Sequence, residues 1–227
     1  MRYYWLLFDA DHTLLDFDRS AEESLHMTLD EFGFAVYDHA FPAYREINGR
    51  CWREFEEGRI TRDELISKRF ELFFQRYGIE HDPLQFHHAY LSKLPLKPYL
   101  LDGAKDLLDS LSGRCLLGLI TNGLKEVQRP RLTSARLEHY FKVIAISGEI
   151  GHAKPDRAYF HHVHVEMGQP VKDRVLVIGD NLHADIKGGV DFGYHACWFN
   201  PAGEENTTAC IPHFEIGKLH DLYRHLE

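Results

Sequence analysis

Residues 8–14 read FDADHTL and follow the apolar run Tyr3–Phe8 without a break. A continuous apolar run of this length fits a strand covered on both faces. The chain leaves it on two carboxylates, Asp9 and Asp11, with the hydroxyl of Thr13 two residues further on. Two negative charges at the end of a buried strand demand a partner or a task.

Three more continuous apolar runs follow, at Cys115–Ile120, Val143–Ile146 and Val175–Ile178, and a fifth strand is expected at His195–Phe199. Amphipathic stretches alternate with them: Gly103–Leu111, Lys125–Leu137, Arg157–Met167 and His183–Phe192. Helix and strand in that rhythm predict an α/β fold, an open Rossmann-like parallel sheet with right-handed crossovers. Pro130 falls inside the second helix and is expected to kink it or delay its start.

The first connection breaks the rhythm. Roughly ninety residues separate Asp9 from the helix at Gly103, too many for a structureless loop. They carry helical signals instead. Thr61–Glu64 reads TRDE, a capping box in which a hydroxyl and a carboxylate satisfy each other's orphan amides, and Leu65, Phe70, Leu72 and Phe73 follow at approximate helical spacing. A second helix is expected from Asp18, a possible N-cap, to a stop at Gly33. The expected organisation is a core of residues 1–15 and 97–227 with a helical insert of residues 16–96.

Composition bounds the rest. A 227-residue chain with 44% hydrophobic and 27% charged residues belongs among globular proteins. Its net charge of −9 gives no footprint for a nucleic-acid polymer. The first apolar run is too short for a signal-peptide core, and nothing approaches a membrane span. Cys51, Cys115, Cys197 and Cys210 are scattered without metal-ligand spacing and read as free thiols. A cytoplasmic protein is expected. The clusters His87–His88 and His161–His164 lack any zinc-motif spacing and read as surface or core histidines.

Ligands of open α/β sheets gather outside the carboxyl ends of the strands. On that rim the sequence collects Asp9 and Asp11, then Thr121 and Asn122 from ITNG, Lys154 from GEIGHAKP, and Asp180 and Asp185 from IGDNLHAD. Unit charges about 4 Å apart repel by roughly 4 kcal/mol at an effective dielectric of 20. Four carboxylates there make sense around a hard cation, and oxygen-only ligands suit Mg2+. With Lys154 as a second positive centre, the pattern fits phosphoryl transfer.

Taken in order, DADHT, TN, KP and GDNLHAD resemble the four motifs of the haloacid dehalogenase-like hydrolase superfamily across the whole α/β core. The resemblance implies a Rossmann-like core with a helical cap, and chemistry through a phospho-aspartate. Asp9 would attack phosphorus. Asp11 would protonate the leaving oxygen and later deprotonate water. Thr121, the Asn122 backbone amide and Lys154 would hold phosphoryl oxygens. Mg2+ would sit on the Asp9 carboxylate, the Asp11 main-chain carbonyl and Asp180, with Asp185 behind them. Asp11 also points within the superfamily to phosphate-ester hydrolysis rather than dehalogenation.

A narrower likeness is to bacterial 5′-nucleotidases acting on pyrimidine nucleoside monophosphates. It rests on FDADHTLLDF, the stretch WREFEEGRIT from Trp52, Arg69–Phe70, ITNG, GHAKP and the CWFN of Cys197–Asn200. A small phosphorylated metabolite is therefore the expected partner, with sugar phosphates as the alternative substrates. A phospho-aspartate switch module is the non-enzyme alternative, although it needs neither Asp11 nor a large insert. Several residues keep two roles open. Asp185 could instead cap a helix at Ile186; Trp52, Phe55 and Phe70 could be insert core or a base-stacking platform. Gly188–Gly189 are expected to permit close helix packing.

Overall fold

The computed structural model describes residues 2–34, 39–206 and 208–226. Its contacts divide into two units, Met1–Phe17 with Tyr99–Glu227, and Asp18–Pro98.

The first unit holds a six-stranded sheet in the order β3-β2-β1-β4-β5-β6. The strands are β1 Trp5–Asp9, β2 Leu116–Thr121, β3 Val143–Ile146, β4 Val175–Gly179, β5 His195–Phe199 and β6 Phe214–Ile216, and every pair is parallel. The sequence foreshadows all but β6, whose three residues are too few to make a pattern. Because side chains alternate across a strand, Leu6 and Phe8 enter one buried cluster with Leu107, Leu108 and Leu176. Trp5 and Leu7 enter the opposite one with Tyr159, Phe160 and Val177. Burial on both faces explains why the strands are apolar without alternation. The chain order reverses direction at β1, flanked by β2 and β4, and this switch point is where a crevice opens in such sheets.

The helices of this unit include α5 Ala104–Leu111, α6 Lys125–Ser134 and, after a single turn α7 at Ser147–Ile150, α8 Arg157–Glu166; α6 and α8 reach the site. Pro130 lies within α6 and does not delay its start. The hydrogen bond its ring removes would have gone to the carbonyl of Glu126, in the first turn, which is open to solvent. After β4 the chain forms a π-helical turn, Leu182–Lys187, and then α9, Gly188–Phe192. A Cβ on Gly188 would lie 2.5 Å from the Phe160 ring, and one on Gly189 3.0 Å from Val177, so these glycines do permit close packing.

The second unit is helical: α1, Phe17–Glu31, brings the chain into it, followed by α2, Ala40–Glu56, α3, Arg62–Tyr77, and α4, Pro83–Lys93. Asp18 sits inside the first of these rather than capping it. The Thr61–Glu64 capping box forms in full, and Gly78 in the left-handed conformation ends that helix. Phe70 is fully buried and stacks on Tyr44, with ring centroids 5.3 Å apart, whereas Trp52 and Phe55 are partly exposed. Phe70 is therefore core of this unit. Among the described residues, no helix is long and apolar enough to cross a membrane.

Candidate active site

Asp9 is the last residue of β1 and Thr121 the last of β2, and both are buried. Asp180 follows β4 directly. Lys154 comes from the loop before α8, and the side chain of Asn122 holds it there. The Asn122 amide donates to the Lys154 carbonyl at 2.9 Å, and its oxygen accepts from the Lys154 N–H at 2.7 Å. That two-point latch brings a lysine from a distant segment to the end of β1. Its ammonium donates to Asp9 Oδ1 at 2.6 Å, to Asp185 Oδ1 at 2.6 Å and to the Ile120 carbonyl at 3.2 Å. All three ammonium hydrogens are thereby used.

Asp185 does not cap a helix at Ile186. Asn181 caps that turn, accepting from the N–H groups of His183 and Ala184. Asp185 instead points back to the strand ends, where its second oxygen accepts from the Asn181 N–H at 3.1 Å. It can lie there because residue 179 is glycine: a Cβ at that position would fall 2.3 Å from Asp185 Oδ2. Trp198 on β5 donates its indole N–H to the Asp180 carbonyl at 2.9 Å, fixing the loop after β4.

Asp9, Asp180 and Asp185 offer carboxylate oxygens all within 4.8 Å of one another. Burial pushes Asp9 well above the usual carboxylate range; Lys154 opposes the shift, and Asp185 and Asp180 add to it. Burial and then Asp185 lift Asp180 to about 8. Burial pulls Lys154 down, yet Asp185 and Asp9 carry it above its ordinary value. Three carboxylates against one ammonium leave a surplus of negative charge in a confined space. Hard oxygen donors with such a surplus fit Mg2+.

Asp11 faces elsewhere. Its Oδ1 accepts from Arg131 Nη1 at 2.5 Å and its Oδ2 from Gln128 Nε2 at 2.8 Å. Arg131 is fully buried, with its guanidinium 5.3 Å from the centre of the Phe17 ring. Gln128 also donates to Thr121 Oγ1 at 2.8 Å. Tyr159 on α8 accepts from the Thr121 N–H at 3.0 Å and donates to the Ala145 carbonyl at 2.8 Å, tying the end of β2 to β3. Sequence reasoning passes over Gln128, Arg131 and Tyr159. The available signal was the buried stripe Val127, Gln128, Arg131, Leu132 on α6, where two polar residues occupy core positions.

A Rossmann-like sheet whose switch point carries an aspartate, a threonine, a buried lysine and an acidic pair defines a class of α/β enzymes built to meet an anionic group. Residues 5–193 match the haloacid dehalogenase-like hydrolase family, and the chain belongs to that family. It is similar to the HAD-hydrolase YfnB of Bacillus subtilis, with 38% identity over 222 residues covering 98% of this chain and 94% of that protein. A crystal structure of that YfnB, described as bound to magnesium, superposes with a TM-score of 0.95 at 37% identity, covering all of both chains. The pyrimidine 5′-nucleotidase PynA of Streptococcus pneumoniae is 36% identical, covering 98% of this chain and 94% of PynA. The pyrimidine 5′-nucleotidase YjjG of Escherichia coli is 33% identical, covering 98% of this chain and 97% of YjjG.

Proposed function

We propose that this chain is a Mg2+-dependent phosphomonoesterase that works through an aspartyl-phosphate on Asp9, with pyrimidine nucleoside 5′-monophosphates as preferred substrates. The observation that carries it is the buried Asp9 at the end of β1, gripped through one oxygen by a lysine that Asp185 shares. The nucleotide class follows from PynA and YjjG, which match over nearly the whole chain. Residues 18–98 are taken as the cap that chooses the leaving group.

The chemistry divides one difficult displacement into two. Lys154 engages Oδ1 of Asp9, which leaves Oδ2 to attack phosphorus. The bond from phosphorus to the ester oxygen breaks, and Asp11 supplies the proton that the leaving alkoxide needs. A water molecule then attacks the aspartyl-phosphate, Asp11 takes its proton, and orthophosphate departs with Asp9 restored. As held in the structure, both oxygens of Asp11 accept hydrogen bonds, the form suited to taking that second proton. Thr121, the Asn122 main-chain amide and Lys154, whose long hydrogen bond to the Ile120 carbonyl would give way to a phosphoryl oxygen, bind the phosphoryl group and meet its growing charge. Asp9 and Asp180, with the Asp11 main-chain carbonyl, would hold Mg2+, and Asp185 would anchor Lys154 beside it. The ion, when bound, offsets the charge of the carboxylates and of the phosphoryl oxygens.

The test is phosphate release from a panel of nucleoside monophosphates and sugar phosphates, each with Mg2+ and with a chelator. Strong release from uridine or thymidine monophosphate that the chelator abolishes is expected. Asp9→Asn is expected to remove turnover, and near-normal activity in that variant sinks the mechanism. Release mainly from sugar phosphates keeps the chemistry and discards the nucleotide class.

A further inference from the structure

We infer that Gln128 is a positioning residue that sets two groups of the site at once, the hydroxyl proton of Thr121 and the carboxylate of Asp11. The inference rests on the phosphomonoesterase proposed above. Gln128 is 1% exposed, and its amide has no freedom left. One N–H donates to Thr121 Oγ1, the other to Asp11 Oδ2, and the amide oxygen accepts from Arg131 Nη1 at 2.9 Å. A flipped amide would set its oxygen against two acceptors and its N–H groups against a guanidinium, so only one orientation satisfies all three partners.

The consequence for Thr121 follows from counting. A hydroxyl has two acceptor sites and one proton. Thr121 Oγ1 accepts from Gln128 and, at 3.1 Å, from the Gly123 N–H. With both acceptor sites filled, the hydroxyl can only donate. It is thereby committed to an acceptor such as a phosphoryl oxygen and is unfit to ligate a cation. For Asp11, Gln128 on one oxygen and Arg131 on the other fix the plane of the carboxylate. Arg131 Nε and Nη2 find no hydrogen-bond partner among the described residues although they are buried. Orphaned donors of this kind cost about 1–3 kcal/mol each, a poor choice for packing alone.

Gly123 supplies an independent handle. A Cβ there would lie 2.6 Å from both Cγ and Nε2 of Gln128, so the glycine makes the room in which the amide lies. The atoms in the way belong to a flexible side chain. Gly123→Ala should therefore move the amide without breaking the fold, while Gln128→Met keeps the length of the side chain and removes its polarity.

The experiment measures kcat and KM for both variants with uridine 5′-monophosphate and p-nitrophenyl phosphate, and orthophosphate affinity by calorimetry in Mg2+. With the nucleotide, kcat should fall on the order of 100-fold, the usual consequence of a small misplacement of reacting groups. Orthophosphate should bind about tenfold more weakly, as the loss of one well-directed hydrogen bond implies. The pre-steady-state burst with p-nitrophenyl phosphate, whose leaving group needs little protonation, should fall less than the corresponding burst with the nucleotide. A merely structural Gln128 would lower the two bursts together along with Tm. Folded Gln128→Met and Gly123→Ala variants with wild-type kcat, KM and orthophosphate affinity would overturn the inference. If Gln128→Met does not fold, Gly123→Ala decides by the same criteria. Wild-type protein that releases phosphate from no ester brings down the underlying phosphomonoesterase assignment, whereas wild-type turnover with unaffected variants brings down the role of Gln128 alone.

Discussion

Lys154 in the α/β unit and Arg69 in the helical unit are both buried, 2% and 4% exposed, but their charges are answered differently. Lys154 meets two carboxylates and a carbonyl. Arg69 meets neutral groups: Asn48 Oδ1 at 3.0 Å, His87 Nδ1 at 3.0 Å, and the rings of Phe70 and Tyr90 with centroids 5.1 and 5.7 Å away. One arrangement stores opposed charges under tension; the other spreads a single charge over dipoles and π faces. The first suits chemistry that must move charge, the second a rigid interior.

Breaking Lys154 should have the larger effect. Lys154→Met leaves Asp9 and Asp185 without their cation, and losing one partner of a buried pair costs about 3–5 kcal/mol. Urea titration should show that loss, with added Mg2+ recovering part of it, and phosphate release should fall at least ~10³-fold. A Lys154→Met protein as stable as wild type without Mg2+ would undo the comparison. Arg69→Met should cost less, about 1–3 kcal/mol, because it strands only neutral groups on Asn48 and His87. Its Mg2+-dependent rise in Tm should match that of the wild type.

The smallest effect concerns acid. Burial, then Arg69, then His88 hold His87 down to about 3, whereas an unfolded chain takes the proton near 6.5. Below pH 6.5 the folded state thus binds fewer protons than the unfolded one. The stability His87 contributes is whole above 6.5 and is lost progressively as the pH falls toward 3. By pH 5.5 the loss should reach about 1.4 kcal/mol. Hydrogen exchange over 83–93 should show it in the wild type and not in His87→Gln.

The strand ends at the site were legible because β1, β2 and β4 are short unbroken apolar runs that end on a polar residue or lead directly into one. Asp9, Thr121 and Asp180 stand out on that ground alone. Lys154 was legible only through its motif, since its place depends on the latch to Asn122, which joins two loops distant in sequence. Gln128, Arg131 and Tyr159 were not legible. Their roles arise where α6 and α8 meet the strand ends, and a polar residue on a buried stripe looks the same whether it packs or positions. Asp185 was ambiguous because a carboxylate just ahead of Ile186 resembles a cap until the glycine at 179 reveals where its side chain goes.

The Lys154–Asp9 hydrogen bond joins residues 145 positions apart. Loop closure on that scale comes late in folding, because its entropy must be met before the contact forms. The acidic cluster is therefore a clock as well as a site. No early intermediate with only local helices can gather Asp9, Asp180 and Asp185 around one point. A refolding chain that starts to take up a divalent ion there reports that its two distant halves have met, so the ion would time the closing of the sheet.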